Sequence, residues 1–432
     1  ESRGLGDVYK RQLLPLGLPE TCEICGYLGG WLLVLLKHDW LRANQSYAAG
    51  SLVAVKLNKG VLGQAQCLFA PQAGQSVEGV ETTRHFVAAT LLDNVSGSLK
   101  AWRLQQGQWQ PAEVPELPLE GAGVLEFADQ PWGGDVLYIA ASSFLSPLTL
   151  YTLDLQRQEW CVMRRQPAQF EPEGLSVQQL HAVSADGERI PYYHVGNGEP
   201  NAPALVYAYG GFGVPELPHY LGIIGRHWLA RGGTFVLANI RGGGEFGPAW
   251  HAAAQGAARK HKSAEDLVAV AQDLAARGLS APERIVLQGG SNGGLVCAAA
   301  YCAAPQSIGG MVCEVPLTDM LCYPHLLAGA SWQEEYGNPD AEPDRGYLKK
   351  LSPYHNLYDG QTYPPALITT NLSDDRVHPA HALKFHARLR EIGVNSRLYA
   401  PEAGGHAGNA SQEEVAAELA AVLVFVRQTV DK

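Results

Sequence analysis

Between about residues 26 and 162, apolar residues come in short runs that end on turn signals. Leu52-Val-Ala-Val-Lys-Leu57 stops at Asn58-Lys-Gly60. Phe86-Val-Ala-Ala-Thr-Leu-Leu92 turns at Asp93-Asn-Val-Ser-Gly97 into Leu99-Lys-Ala-Trp-Arg-Leu104, and Val136–Ala141 and Leu148–Asp154 continue the pattern. Runs of this kind, rich in β-branched and aromatic side chains and bounded by Gly, Asn and Asp, predict strands joined by tight turns. Their spacing suits four-stranded blades of about 40–45 residues, part of a β-propeller, with a β-sandwich as the alternative packing.

The texture changes near Phe170-Glu-Pro-Glu-Gly174, where a polar segment leads into Val177–Tyr193 and then a Gly-, Asn- and Pro-rich connection at Gly196–Pro203. Beyond that connection, apolar runs alternate with helical periodicity. The runs predict strands at Ala204–Tyr209, Thr234–Ile240, Arg284–Gln288, Ala366–Thr370 and Arg397–Ala400, and helices at Ser263–Arg277, Asn292–Ala304, Pro379–Ile392 and Gln412–Thr429. Continuous apolar strands separated by helices imply a parallel, doubly wound sheet covered on both faces. The expected organisation is an all-β partial propeller over residues 1–172 followed by an α/β domain over residues 173–432. Glu1–Gln12, polar and unlike the residues after it, reads as a non-native leader.

Charge narrows the partners. The 432 residues carry 32 Lys+Arg against 43 Asp+Glu, a formal charge of −11. Nucleic acid is therefore not an expected partner, and neutral or basic substrates are mildly favoured. The strongest apolar stretch, Leu28–Leu36, stops at Lys37-His-Asp39, well short of the ~20 residues that cross a bilayer. No membrane partner is expected. The 8 cysteines are scattered, mostly in apolar surroundings such as Val296-Cys-Ala298 and Val312-Cys313, which predicts buried reduced thiols and a cytoplasmic protein. Cys22-Glu-Ile-Cys25 has the spacing of a metal or redox pair, but no second CxxC or His pair stands near it to complete four ligands.

Candidate chemistry centres on one turn. Arg284-Ile-Val-Leu-Gln288 runs into Gly289-Gly-Ser291-Asn-Gly-Gly294 and then an Ala-rich helix, the strand–turn–helix setting of a G-x-S-x-G nucleophile elbow in an α/β-hydrolase. A phosphate-binding loop would instead end in G-K-[ST] or open on GxGxxG. Serine at its free pKa is a weak nucleophile and needs an imidazole base, itself held by an acid, in the chain order Ser, Asp, His. Asp374 follows the strand Ala366–Thr370 and His406 follows Arg397–Ala400, both on loops where open α/β sheets gather their sites. Donors for an oxyanion are expected from the Asn292 N–H and from Tyr209 in Tyr207-Ala-Tyr209-Gly-Gly-Phe212. Arg241–Gly247 is expected to shape the same cleft. Among other histidines, the His378-x-x-His381 pair suits capping or surface roles, His261 lies in a solvated basic stretch, and His251 suits packing.

These motifs resemble those of the prolyl oligopeptidase family of serine peptidases, over essentially the whole chain past residue 26. The family's Y-G-G-F, R-G-G-G-E-[YF]-G, G-G-S-N-G-G, D-D-R-V and G-H stand in order at Tyr209–Phe212, Arg241–Gly247, Gly289–Gly294, Asp374–Val377 and Gly405-His406. Ser143–Pro147 and Leu150–Asp154 look like the last propeller blade before that family's hydrolase domain. The resemblance implies a β-propeller with an α/β-hydrolase that cleaves short peptides without metal or cofactor. It makes Ser291 the nucleophile, Asp374 and His406 its partners, and Tyr209 the side-chain oxyanion donor. It also implies that Trp332 stacks on a substrate proline in a pocket lined by Phe212, Leu317, Tyr336 and Val377, and that Arg376 holds a substrate carbonyl.

Departures from the family pattern temper these implications. The histidine loop reads Gly-Gly-His406-Ala-Gly, and Asp-Asp-Arg-Val377 runs into His378-Pro379, both unlike the best-known prolyl enzymes, so the proline preference is not expected to be strict. Oligopeptidase B, a sister group, has Ala after the nucleophile where this chain has Asn292, so a preference for basic residues is not implied. The family propeller has seven blades, roughly 300 residues at ~40–45 each. About 170 residues precede the α/β domain here, room for at most about four blades, so a chain truncated at its N-terminus is expected. An esterase or acylaminoacyl hydrolase and a catalytically silent peptide-binding module are the alternative readings.

Overall fold

The structure is a computed structural model that describes residues 4–6, 13–72, 74–117, 123–128, 133–408 and 411–431. Most of the expected leader Glu1–Gln12 lies outside the described residues; within it, Gly4–Gly6 pairs antiparallel with Leu13–Pro15. The chain falls into two compact units, one of Glu1–Ala168 with Leu217–Tyr220 and Glu245–Pro248, the other of Gln169–Glu216, Leu221–Gly244 and Ala249–Lys432.

The first unit is all-β. Glu23–Leu28, Trp31–Leu35, Leu52–Asn58 and Val61–Phe69 form one 4-stranded sheet. Gln75–Thr82, Phe86–Asp93, Ser96–Gln105 and Gln108–Ala112 form a second, and Gly123–Phe127, Val136–Ser143, Thr149–Asp154 and Glu159–Arg165 a third. In each, every strand lies antiparallel beside its neighbour in sequence, the meander of a propeller blade rather than the crossed connections of a sandwich. Trp31–Leu35 and residues 86–92 of the second sheet are buried along their length because both of their faces are covered. Trp31 and Leu33 pack with Val87, Ala89 and Leu91 of the second sheet, while Leu32 and Val34 pack with Trp40 and Tyr47. The opposite face of the second sheet, through Phe86 and Ala88, meets Leu137, Ile139 and Tyr151 of the third.

The second unit is built on 8 strands: β1 Ser176–Val183, β2 Arg189–Gly196, β3 Ala204–Ala208, β4 Thr234–Ala238, β5 Ile285–Gly290, β6 Gly310–Glu314, β7 Ala366–Thr369 and β8 Ser396–Tyr399, in spatial order β1-β2-β4-β3-β5-β6-β7-β8. This is a mixed sheet, not the parallel one expected. The β1–β2 hairpin is antiparallel and β2 also meets β4 antiparallel, whereas β4 through β8 are parallel. Strand β1 is half-exposed along its length, so it lacks the continuous apolar run that marks a strand buried on both faces. Helices α1 His261–Ala276, α2 Asn292–Ala303, α3 Ala380–Glu391 and α4 Gln412–Val430 accompany the sheet. Helix α1 is amphipathic, burying Ala264, Leu267, Val270, Ala271 and Leu274, spaced as one helical stripe. Helix α2 is buried from Asn292 to Cys302, which its small side chains allow. Among the described residues, no helix is long and apolar enough to cross a membrane.

Candidate active site

The order of the sheet reverses at β3, which lies between β4 and β5, and open α/β sheets place ligands outside the strand ends at such a point. Ser291 leaves β5 there and Tyr209 leaves the adjacent β3, with Tyr207 and Gln288 in register. Ser291 has φ 56 and ψ −116, a left-handed conformation that costs a non-glycine residue of order 1–3 kcal/mol. Its N–H donates to the Glu314 carbonyl on β6 at 2.8 Å, and its carbonyl accepts from Leu295 N at 3.1 Å. The flanking glycines are steric requirements: a Cβ on Gly289 would lie 2.5 Å from the Gly293 carbonyl oxygen, and one on Gly293 2.5 Å from that of Ala208. Strand β5, helix α2 and strand β3 cross at backbone contact, which projects the serine from the turn.

The two loops that follow β7 and β8 meet each other. Asp374 Oδ1 accepts from the N–H groups of Arg376 and Val377, both at 2.9 Å, and Oδ2 lies 2.9 Å from His406 Nδ1. The Asp374 side chain is fully buried. A carboxylate can only accept, so Nδ1 carries the proton and Nε2 is left as the basic nitrogen. Asn371 Nδ2 donates to Gly405 O at 2.8 Å and Ser373 Oγ to Gly404 O at 2.9 Å, while the His406 N–H donates to Asp375 Oδ1 at 3.3 Å. These contacts tie the histidine loop to the aspartate loop.

Tyr209, Phe212, Ser291, Leu317, Trp332, Tyr336 and Arg376 line one cavity of about 140 Å³. Burial, with smaller contributions from Glu216 and Glu335, pushes the Tyr209 phenol up to about 12, so at neutral pH it is a hydrogen-bond donor. Phe212 and Tyr336 meet edge to face at 5.6 Å. Asn292 is fully buried; its Nδ2 donates to Tyr209 O at 2.5 Å. Of the pocket residues expected from sequence, Val377 does not line this cavity: it is buried in the main core of the unit, and its N–H serves Asp374.

Sequence reasoning missed several residues near this site. Lys260, in the stretch read as solvated, is fully buried, as is Glu335, and the two pair at 2.7 Å. His251 Nε2 lies 2.6 Å from Glu335 Oε2, so it is more than a packing residue. His381 is buried rather than at the surface and accepts from the N–H groups of Thr318 and Asp319; desolvation, with the nearby charge of Lys384 adding to it and Asp319 opposing it, brings its pKa down to about 4. His378 Nδ1 accepts from Ala380 N at the start of α3, a capping role. Arg241 is buried between Asp186 and Asp266 and fixes its glycine loop against the turn after β3, where Gly213 N donates to Gly242 O at 3.1 Å. Among the described residues, no group of three or more His, Cys, Asp or Glu is placed to hold a metal.

Residues 36–166 match the model of the prolyl oligopeptidase N-terminal β-propeller domain, and residues 225–432 that of the prolyl oligopeptidase family. The uncharacterized peptidase y4nA of Sinorhizobium fredii is 35% identical over 422 residues, which cover 96% of this chain and 58% of that protein. The prolyl endopeptidase of Elizabethkingia miricola is 32% identical over 72% of this chain and 45% of its own length. A solved post-proline cleaving enzyme from Rickettsia typhi superposes with a TM-score of 0.88 at 31% identity, covering 97% of this chain and 62% of that one. The chain thus spans about half to three-fifths of the length of these relatives. Three propeller-type sheets, an α/β unit with a serine elbow, and both family models place the chain in the prolyl oligopeptidase family of serine peptidases.

Proposed function

We propose that the α/β unit hydrolyses short peptides on the carboxyl side of proline through an acyl-enzyme on Ser291. The observation that carries this reading is the pairing of His406 Nδ1 with buried Asp374 at 2.9 Å, on loops that leave the C-terminal ends of parallel strands, as does a strained serine that opens into an aromatic cavity. His406 Nε2 takes the Ser291 hydroxyl proton as the oxygen attacks the scissile carbonyl, then gives it to the leaving amine. Asp374 holds the tautomer and stabilises the imidazolium. The Tyr209 hydroxyl and the Asn292 N–H receive the oxyanion. Water, activated by the same histidine, releases the acid.

Proline fits the pocket for physical reasons. Its ring is rigid and apolar, and it brings no N–H that the aromatic walls would leave unsatisfied. The lining carries one cationic side chain, Arg376, and no carboxylate, which disfavours a basic side chain and leaves a guanidinium to bind a substrate carbonyl.

The test is the initial rate on Z-Gly-Pro-coumarin-amide beside its alanine and arginine analogues, with Ser291→Ala as the blank. The expected result is a proline-selective rate that the variant loses by up to ~10⁶-fold. Equal rates on proline and alanine substrates would refute the specificity, and an undiminished Ser291→Ala would refute the nucleophile.

A further inference from the structure

Three successive points of the turn after β3 are held by side chains from elsewhere in the unit, and two of those side chains are charged and take no part in the proposed reaction. Asn292 Nδ2 donates to the Tyr209 carbonyl. Lys260 Nζ donates to the Gly210 carbonyl at 3.0 Å, and Glu335 Oε1 accepts from the Phe212 N–H at 3.1 Å. Lys260 and Glu335 are joined to each other at 2.7 Å, and the ammonium also stands 5.5 Å from the centre of the Tyr336 ring. His251 Nε2 meets the other Glu335 oxygen at 2.6 Å.

Such an arrangement is expensive. Lys260 and Glu335 are 1% and 3% exposed, and taking both charges out of water carries a desolvation penalty that pairing must offset. Burial pulls the Lys260 pKa down while Glu335 pulls it back up. An apolar pair of the same volume would serve packing equally well. What the ions add is direction, because each reaches a backbone atom of a strained turn: Gly210 and Phe212 both have positive φ, 62 and 56. A non-glycine residue does not hold that conformation unless its surroundings impose it. Glu335 also sits in the chain between Trp332 and Tyr336, so the pair couples two walls of the cavity.

We propose that Lys260 and Glu335 are positioning residues that hold the Tyr209–Phe212 turn so that the Tyr209 hydroxyl points at the oxyanion. This rests on the role given to Tyr209 above. The pair acts through Tyr209 and touches no reacting atom.

A double-mutant cycle tests it. Lys260→Met and Glu335→Gln are made singly, together, and each in a Tyr209→Phe background. The readouts are the second-order rate of Ser291 phosphonylation by a fluorophosphonate probe and kcat/KM for a p-nitrophenyl ester, with melting temperature recorded alongside. Each single variant is expected to slow labelling at least 10-fold in the parent and less than 3-fold in the Tyr209→Phe background. The double variant, with no orphaned buried charge, is expected to recover melting temperature without recovering rate. Glu335→Gln, nearly isosteric, carries the test should Lys260→Met fail to fold.

Effects that multiply with Tyr209→Phe, or a double variant that regains rate together with melting temperature, would overturn the proposal and leave the triad assignment standing. A Tyr209→Phe variant that labels like the parent would overturn it through Tyr209. A parent labelled no faster than Ser291→Ala would refute the reading of the site itself, and the inference with it.

Discussion

The Tyr336 hydroxyl donates to Asn292 Oδ1 at 3.0 Å. Tyr336 is a wall of the cavity and Asn292 follows Ser291, the proposed nucleophile, so one buried amide links the cavity to the proposed oxyanion donor. Removing either partner leaves a buried polar atom without its bond, at a cost of about 1–3 kcal/mol. Tyr336→Phe and Asn292→Ala should each lower stability by that amount in urea unfolding. Asn292→Ala should also lower kcat/KM about 10-fold, although the backbone donor survives, because the Tyr209 carbonyl loses its anchor. Parent-like stability in both variants would show that the link is not formed.

Trp332 is half-buried at the edge of the cavity. Trp332→Ala should collapse selectivity: kcat/KM on the proline substrate falls at least 10-fold, while the alanine analogue changes less than threefold. Covering apolar surface is worth roughly 25 cal/mol per Å², and the proline ring offers the indole more such surface than an alanine methyl does. An equal fall on both substrates would make Trp332 a packing residue.

A half-buried carboxyl and a buried imidazole titrate in opposite senses over nearly the same range. Burial raises the Glu314 carboxyl from 4.5 to about 7. From pH 4.5 to 7 the folded state holds a proton that the unfolded state has released, so stability falls as pH rises. His381 is brought from 6.5 to about 4; from pH 6.5 down to 4 the unfolded state binds the proton first, so stability falls as pH falls. Each effect is on the order of 3 kcal/mol at 1.36 kcal/mol per unit, and where they overlap they largely cancel. Relative to the parent, Glu314→Gln should gain stability above pH 7 and His381→Gln should gain it below pH 4.5. Urea unfolding at four pH values reads both differences, and a variant that tracks the parent throughout would refute its assignment.

The elbow glycines are not equivalent. Gly293→Ala places a methyl 2.5 Å from the Ala208 carbonyl oxygen, whereas the nearest atom to a methyl on Gly290 is Glu314 Cβ at 3.8 Å. Overpacking of the first kind costs about 1–3 kcal/mol and pushes α2 away from β3. Gly293→Ala should therefore lose both stability and fluorophosphonate labelling, while Gly290→Ala, one residue before the nucleophile, should keep its melting temperature. Equal melting temperatures for the two variants would contradict the crossing geometry.

What the amino-acid sequence reveals here depends on how local the signal is. Helix α2 and the serine turn are legible because small residues at fixed offsets from Ser291 have one steric explanation. The two loops that bring Asp374 and His406 together are legible because the first follows the apolar strand β7 and the second is rich in small residues, Ala403-Gly-Gly-His406-Ala-Gly408. Strand β6, Gly310–Glu314, opens on glycines and is too short for its apolar residues to stand out, and the half-exposed β1 carries no buried run. Lys260 defeats local reading altogether: within Arg259-Lys-His-Lys262 nothing marks one lysine as buried, since its partner Glu335 is remote in sequence and the backbone it serves belongs to a third segment. The same holds for His381, whose bonds go to Thr318 and Asp319.

The shared strand faces of the first unit change what specifies its pairing register. In a sheet with one wet face, a one-residue slip exposes apolar side chains, and water enforces the alignment. In Trp31–Leu35 and Phe86–Asp93 both faces are dry, so a slip would trade one core for the other at little cost in hydration. Discrimination must then come from shape. Trp31, Trp102 and Trp109 all enter the cluster shared by the first two sheets, together with Ala54 and Ala89, while Ala88, Ala101 and Ala141 share the next cluster with Phe86 and Tyr151. Large rings set against small neighbours give each interface a steric key, and exchanging a tryptophan for alanine there would loosen alignment as well as packing.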